Sequence, residues 1–279
     1  MTTISPIKLA IDANNKPANL PRPEAIVHAT NSNSSYLRGV ALAYKSCGAT
    51  AYFWVKYGWS IIMGEAPTQG FVAQAINGKA NAAVRVPSVY LAFRSGSYGY
   101  IVMEYIDGSR CDDSDAELVA AAVQSLIAIQ GPTAAPGPVG GGPIAHRFFV
   151  DWESPVTYDS VQLLEEHILA HEGRGECVSF GPEVKAHGLR LCPCDMNRTN
   201  FMKDLKGMIV ALDFGASCFL PPSFAFALRE GDDFTQSIAR HLNYPASTQL
   251  NPMLMASYIL VLFGTNKIGI PPKLKNTAK

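Results

Sequence analysis

Apolar and polar positions change rhythm partway along the chain. Residues 1–35 are rich in Pro, Asn and Ser, which predicts an irregular lead-in with a short helix near Pro23 to Thr30. Tyr36 to Lys45 and Ala49 to Lys56 are β-prone runs, and Ser46-Cys47-Gly48 between them predicts a hairpin turn. Gly70 to Ile76 is helical in pattern. Val84 to Phe93 and Tyr100 to Tyr105 read as further strands joined through Ser95-Gly96-Ser97. Ser114-Asp115-Ala116-Glu117 then has the spacing of a capping box. Leu118, Val119, Ala122, Val123, Leu126 and Ile127 follow at helical spacing, with Gly131 as the expected stop. A Gly/Pro-rich loop spans Gly131 to Pro143, and Ser160 to His171 reads as a helix. Met208 to Leu212 reads as a short buried strand, and the pattern is helical from Phe224 onward. Strands first and helices later, with a crossing near Met103 to Gly108, predict an α+β chain in two lobes without internal repeats.

Composition adds a well-buried core: 48% of residues are hydrophobic and 16% charged, against about 25% charged in average proteins. The formal net charge of zero gives no overall field for nucleic acid or an anionic membrane, so neither is expected as a partner. The N-terminus lacks a basic start followed by an apolar run, so no secretory signal is expected. Met253 to Gly264 is apolar but falls short of the roughly 20 residues that span a bilayer, which predicts a buried helix. The six cysteines read as reduced thiols of a cytoplasmic protein.

The chemistry concentrates between Leu191 and Gly215. Asp195 is followed five residues later by Asn200, and Asp213-Phe214-Gly215 comes after the apolar run Met208 to Leu212. Phosphoryl transfer needs a carboxylate to take or orient the proton of the acceptor hydroxyl. It also needs hard oxygen ligands for Mg²⁺ on the phosphates, and a cation to pin those phosphates. Asp-x-x-x-x-Asn followed by Asp-Phe-Gly supplies the first two.

Here the chain resembles the aminoglycoside phosphotransferase and choline kinase branch of the protein-kinase-like superfamily, and most of all the fungal aminoglycoside-phosphotransferase-like proteins. The resemblance covers roughly residues 20–225. It rests on four landmarks in order: Trp54-Val55-Lys56-Tyr57-Gly58, Glu65, Val102-Met103-Glu104-Tyr105-Ile106-Asp107-Gly108, and the Asp195 loop with Asp-Phe-Gly. It implies a bilobal protein-kinase-like fold. A small antiparallel-sheet lobe (1–102) and a hinge (103–108) would precede a mainly helical lobe with the catalytic loop and acceptor site (109–279). It implies ATP and Mg²⁺ as cofactors and a small-molecule hydroxyl acceptor as partner. Asp195 would be the catalytic base, and Asn200 and Asp213 the metal ligands. Lys56 would contact the phosphates with Glu65 holding it. The backbone of Met103, Glu104 and Tyr105 would bind adenine.

Three positions depart from that pattern. Pro193 stands where the family usually has a His two residues before the catalytic Asp. No glycine-rich loop precedes Lys56, since Ala29 to Ser35 is rich in Ser and Asn. Pro67 follows Glu65 by two residues, placing Glu65 at a helix start. These departures motivate the alternative of a kinase-fold pseudoenzyme that binds nucleotide or a partner without turnover. A protein kinase is disfavoured because no Ala-Pro-Glu closes an activation segment.

Other chemistry-bearing residues have plainer readings. Cys192-x-Cys194 lacks zinc spacing and a second ligand pair, so it reads as buried thiols. His167 and His171, beside Glu165, Glu166 and Glu172, lack the H-E-x-x-H order and read as a solvated helix face. Gly140-Gly141-Gly142 is read as a flexible connection. Asp112, Asp113, Asp115, Asp232 and Asp233 read as solvated charges, and Arg198 as either a phosphate contact or a solvated arginine.

Overall fold

The computed structural model describes residues 5–31, 39–46, 49–169, 178–229, 232–243 and 247–277. Strand β1 (Ile7–Asp12) and helix α1 (Pro23–Asn31) come first, followed by β2 (Gly39–Ser46) and β3 (Ala49–Gly58). Helix α2 (Glu65–Ile76) leads to β4 (Val84–Arg85), β5 (Val89–Ser95) and β6 (Tyr98–Glu104). Next come β7 (Gly108–Arg110), α3 (Ala116–Ile127), α4 (Val161–Leu169) and α5 (Gly181–His187). Short strands β8 (Arg190–Pro193), β9 (Phe201–Asp204), β10 (Ile209–Ala211) and β11 (Ser217–Leu220) follow, then α6 (Asp233–Arg240) and α7 (Leu250–Phe263). The architecture is α+β, with a sheet-built first part and a mainly helical second part.

The first part is an antiparallel sheet of order β1-β5-β6-β3-β2. Side chains alternate across it. Phe53, Val55, Tyr57, Leu91, Phe93, Tyr100 and Val102 pack with Ile26 and Val27 of α1 on one face. Ala92, Ile101 and Met103 pack with Ala66 of α2 on the other. Trp54 and Lys56 therefore share the face that Phe53 and Val55 do not use. The expected β2–β3 hairpin is present, with Ser46 already paired to Ala49 and with Cys47 and Gly48 outside the described residues.

Helix α2 joins the two parts. Its residues Val72, Ala73 and Ile76 enter a core with Val119, Val123 and Leu126 of α3, Leu191 of β8 and Phe201 of β9. The chain crosses at Ile106 to Gly108. An added Cβ on Gly108 would lie 2.2 Å from the Lys203 carbonyl oxygen, so β7 meets β9 only with glycine there.

Several expectations need correcting. Ile7–Asp12, read as irregular lead-in, is a strand at the sheet edge. Val84 to Phe93 is not one strand: β4 pairs in parallel with β10 of the second part, and β5 starts afresh after Pro87. The capping box is shifted. The Asp112 carboxylate accepts from Ser114 N–H at 2.9 Å, and Asp115 returns a bond to Asp112 N–H at 3.2 Å. Gly131 does not cap α3, which ends at Ile127. It lets Phe219 approach, where an added Cβ would sit 3.1 Å from that side chain. Helix α7 is only half buried. Met253, Ala256 and Leu260 face inward, while Met255, Tyr258, Leu262 and Phe263 are exposed. No helix among the described residues is long and apolar enough to cross a membrane.

Candidate active site

Two carboxylates, one nine residues on and one 157 residues on, converge on Lys56. It sits on β3, opposite Ile101 of β6 and Gly39 of β2. Its ammonium lies 2.6 Å from Glu65 Oε1 and 2.7 Å from Asp213 Oδ1. Glu65 is the first residue of α2 and is buried. Pro67 falls in the first helical turn, where its missing N–H leaves no bond unmade, so it does not keep Glu65 from Lys56. Asp213 takes a left-handed backbone conformation, with φ of 54°, and its Oδ1 also accepts the Gly215 N–H at 3.2 Å. Gly215 lies directly against the cluster. An added Cβ would be 3.1 Å from Asp213 Oδ1, 3.2 Å from Glu65 Oε2 and 3.5 Å from Lys56 Nζ.

The charges are mutually arranged. Burial alone would lower the Lys56 pKa, but the carboxylates of Glu65 and Asp213 outweigh it and hold it above the usual 10.5. Burial pushes Glu65 up to about 6; Lys56 pulls against that shift and Asp213 adds to it.

The Asp195 loop is held by neutral bonds instead. Cys194 N–H donates to the Ala216 carbonyl at 3.0 Å. Asn200 Nδ2 donates to the Asp195 carbonyl at 2.8 Å, and Leu212 N–H donates to the Asn200 carbonyl at 2.8 Å. The Thr235 hydroxyl bonds the Met196 carbonyl. Asn197 Nδ2 donates to Asp195 Oδ1 at 2.9 Å. Pro193 offers no side-chain donor. Its strand β8 pairs with β11 instead, Pro193 opposite Ser217.

Lys56, Glu65, Met103, Glu104, Tyr105, Asn200 and Asp213 all line one cavity of about 630 Å³. Asp195 is not on that wall. It is joined to Asn200, which is on the wall, by the hydrogen bond just described. The Glu104 N–H is committed to the Ser88 carbonyl at 2.9 Å, so a base at the hinge would have to use other backbone groups. The Glu104 carboxylate pairs with Arg85 at 2.7 Å. Of the Ser/Asn-rich stretch Ala29 to Ser35, read as lacking a glycine-rich loop, residues 32–35 lie outside the described residues.

Sequence reasoning did not single out Gly39, Trp54, Pro87, Arg110, Met202 and Leu212, which also line the cavity. Trp54 was within reach: it is two residues before Lys56 on one strand and so shares its face. Pro87 and Arg110 carried no comparable local signal.

Asn200 and Asp213 present an amide and a carboxylate, hard oxygen donors that suit Mg²⁺ when phosphate oxygens and water complete the shell. No group of three or more His, Cys, Asp or Glu able to hold a metal occurs among the described residues. Two hard oxygen donors would fit an ion whose shell other oxygens complete, rather than an all-protein cage.

The other candidates are structural. His167 is buried between the Tyr158 hydroxyl, 2.5 Å from Nδ1, and the Ile268 carbonyl, 2.9 Å from Nε2; the expected solvated face is wrong for it. His171, Glu172 and Cys177 lie outside the described residues. Cys111, Cys192, Cys194 and Cys218 are buried free thiols, and burial pushes Cys194 up to about 12. Arg198 pairs with Asp113 at 3.0 Å and lies over the Phe234 ring, not toward the cavity. Asp115 pairs with Lys203 at 2.5 Å, and Asp232 caps α6 through Thr235 N–H at 2.9 Å.

No protein-family profile matches the sequence, and no curated protein matches it. Among solved structures it is similar to a protein assigned as a fructosamine-3-kinase from Haemophilus somnus, at 16% identity and a TM-score of 0.46, covering 83% of this chain and 80% of that one. It is similar to choline kinase from Streptococcus pneumoniae at 13% identity and a TM-score of 0.42, covering 88% and 91%. It is also similar to an aminoglycoside phosphotransferase from Alicyclobacillus acidocaldarius at 13% identity and a TM-score of 0.40, covering 91% and 80%. At these identities and scores the chemistry has to be read from this chain's own residues.

Proposed function

We propose that this protein is an ATP- and Mg²⁺-dependent phosphotransferase that phosphorylates a hydroxyl of a small molecule. The observation that carries the reading is the convergence of Lys56, Glu65, Asn200 and Asp213 on one cavity wall, with Lys56 bridging both carboxylates. Pro87, Met103, Met202 and Leu212 give the same cavity an apolar part suited to a nucleobase. Lys56 would turn from Asp213 toward the phosphates, still held by Glu65. Asn200 and Asp213 would hold Mg²⁺, which supplies charge neutralisation on the phosphates. Asp195 would accept the hydroxyl proton as the acceptor oxygen bonds the γ-phosphorus. The bond from that phosphorus to the β–γ bridging oxygen breaks, and ADP leaves with the electron pair. A cytoplasmic setting suits the four described buried thiols.

The test is the full chain with ATP, Mg²⁺ and a metabolite panel, with Asp195→Asn and Asp213→Asn as controls. Transfer that survives both substitutions would place the chemistry elsewhere. ATP at about 100 times its Kd should add about 2.7 kcal/mol of stability. A Mg²⁺-dependent shift without transfer to any acceptor would favour the nucleotide-binding pseudoenzyme.

A further inference from the structure

A second cavity, of about 800 Å³, is lined in part by Gly215, two residues after the Asp213 that lines the first. Gly215 and Ala216 form part of its wall, together with Trp59, Trp152, Arg94, Asp151 and Glu153. Gly215 abuts Asp213 and Lys56, and the Ala216 carbonyl holds the N–H of Cys194, the residue before Asp195. The cavity thus touches the Asp213–Ala216 segment directly and stands one backbone hydrogen bond from the Asp195 loop.

Its lining is selective. The chain has three tryptophans; Trp54 lines the first cavity and the other two line this one. Trp59 is 77% exposed and Trp152 is 40% exposed, and large apolar rings left in water favour a ligand that covers them. Trp152 is held there against backbone preference. Asp151 and Trp152 both take left-handed conformations, with φ of 56° and 61°, which costs energy in non-glycine residues. Asn266 pins the turn with three bonds of 2.8 to 2.9 Å to Val150 and Glu153. Arg147 lies 5.2 Å from the centre of the Trp152 ring, which fixes the ring further. The wall carries Arg94 against Asp151 and Glu153, and Arg147 beside the Trp152 ring supplies a second positive charge, so the local charges sum to zero and give a cation no net pull.

We propose that this cavity is the acceptor site and that it takes a neutral, flat, hydroxyl-bearing aromatic compound, stacked on Trp59 and Trp152, not a polycationic or quaternary-ammonium alcohol. This rests on the phosphotransferase reading and names its acceptor class. The test uses the full chain and 2-naphthol as probe, with kanamycin and choline as cationic comparators and glucose as a neutral, non-aromatic one. Binding is read by calorimetry, and transfer from γ-labelled ATP is read separately. 2-Naphthol should bind and accept phosphate in preference to the other three. Trp59→Ala and Trp152→Phe should weaken naphthol binding, the first by tenfold or more, with the Kd for ATP unchanged. Trp59 is exposed on a turn, so its variant keeps the fold. Absence of naphthol binding, preference for kanamycin, choline or glucose, or naphthol binding indifferent to Trp59→Ala would each overturn the proposal. Failure of ATP itself to bind would instead overturn the phosphotransferase reading, and the calorimetric arm separates the two.

Discussion

The two carboxylates central to the proposed chemistry are held by different physics. Asp213 is placed by charge. Lys56 reaches it at 2.7 Å and is itself anchored by the buried Glu65 at 2.6 Å. Asp195 is placed by neutral bonds through its own loop, from Asn200, Cys194 and Thr235. A charged brace in a partly buried setting is strong but answers to pH and fails badly when one member is lost. A brace of neutral bonds is weaker at each point but indifferent to pH near neutrality. The difference also bears on Pro193. A loop tied down by its own amide and backbone bonds holds without a side-chain donor at that position.

The largest effect should come from the chemistry itself. Asp195→Asn should lower kcat by about 10²–10⁴, the usual weight of a positioned general base, while thermal shift with ATP stays at the wild-type value. Equal loss of ATP binding would show that Asp195 belongs to the charged brace after all. Next is the brace. Lys56→Met leaves Glu65 buried without its partner and should cost about 3–5 kcal/mol in urea unfolding. The double variant Lys56→Met/Glu65→Gln should recover most of that loss, because no buried charge is left unpaired. If the double variant is as unstable as the single one, packing and not charge holds this half.

A smaller effect separates the halves by pH. Folding raises the Glu65 pKa from the usual 4.5 to about 6. The stability this group contributes is therefore complete below the unfolded value and lost as pH rises through about 6. Urea midpoints measured from pH 4 to pH 7.5 should show that decline in the wild type and a flatter profile in Glu65→Gln. Parallel profiles for the two proteins would mean that Glu65 does not titrate in this range.

What was legible in the sequence follows the range of the interaction. The β2–β3 hairpin, helix α3 and the order from Asp195 to Gly215 are written in local spacing, and they stand close to where that spacing puts them. Strand β4 was misjudged because its partner β10 comes from far downstream, and nothing between Val84 and Phe93 announces it except Pro87. Helix α7 was misjudged for a different reason. A run apolar on every face does not say which face is covered, and here Tyr258 and Phe263 are left exposed. At the site, residue types and order were readable, but not that Trp59 and Trp152 line one cavity with Gly215. The place of Trp152 there depends on a strained turn at Asp151, which no periodicity marks.

The smallest prediction probes the neutral brace at one bond. Thr235 is buried on α6, and its hydroxyl meets the Met196 carbonyl, one residue after Asp195. Its backbone N–H donates to the Asp232 carboxylate at 2.9 Å, and the same carboxylate oxygen, 2.8 Å from the hydroxyl, competes with Met196 for the hydroxyl proton. Thr235→Val keeps the shape and the cap but removes the hydroxyl, leaving the Met196 carbonyl short of a partner. One such bond is worth about 1 kcal/mol, so kcat should fall severalfold through a looser Asp195, with the Kd for ATP unchanged. Asp232→Ala is the matching control. It removes the cap and should cost about 1 kcal/mol of stability while leaving kcat near wild type. If the two variants lose stability alike and neither lowers kcat, the Thr235 bond serves only the fold, and Asp195 is positioned by Asn197, Asn200 and the β8–β11 ladder.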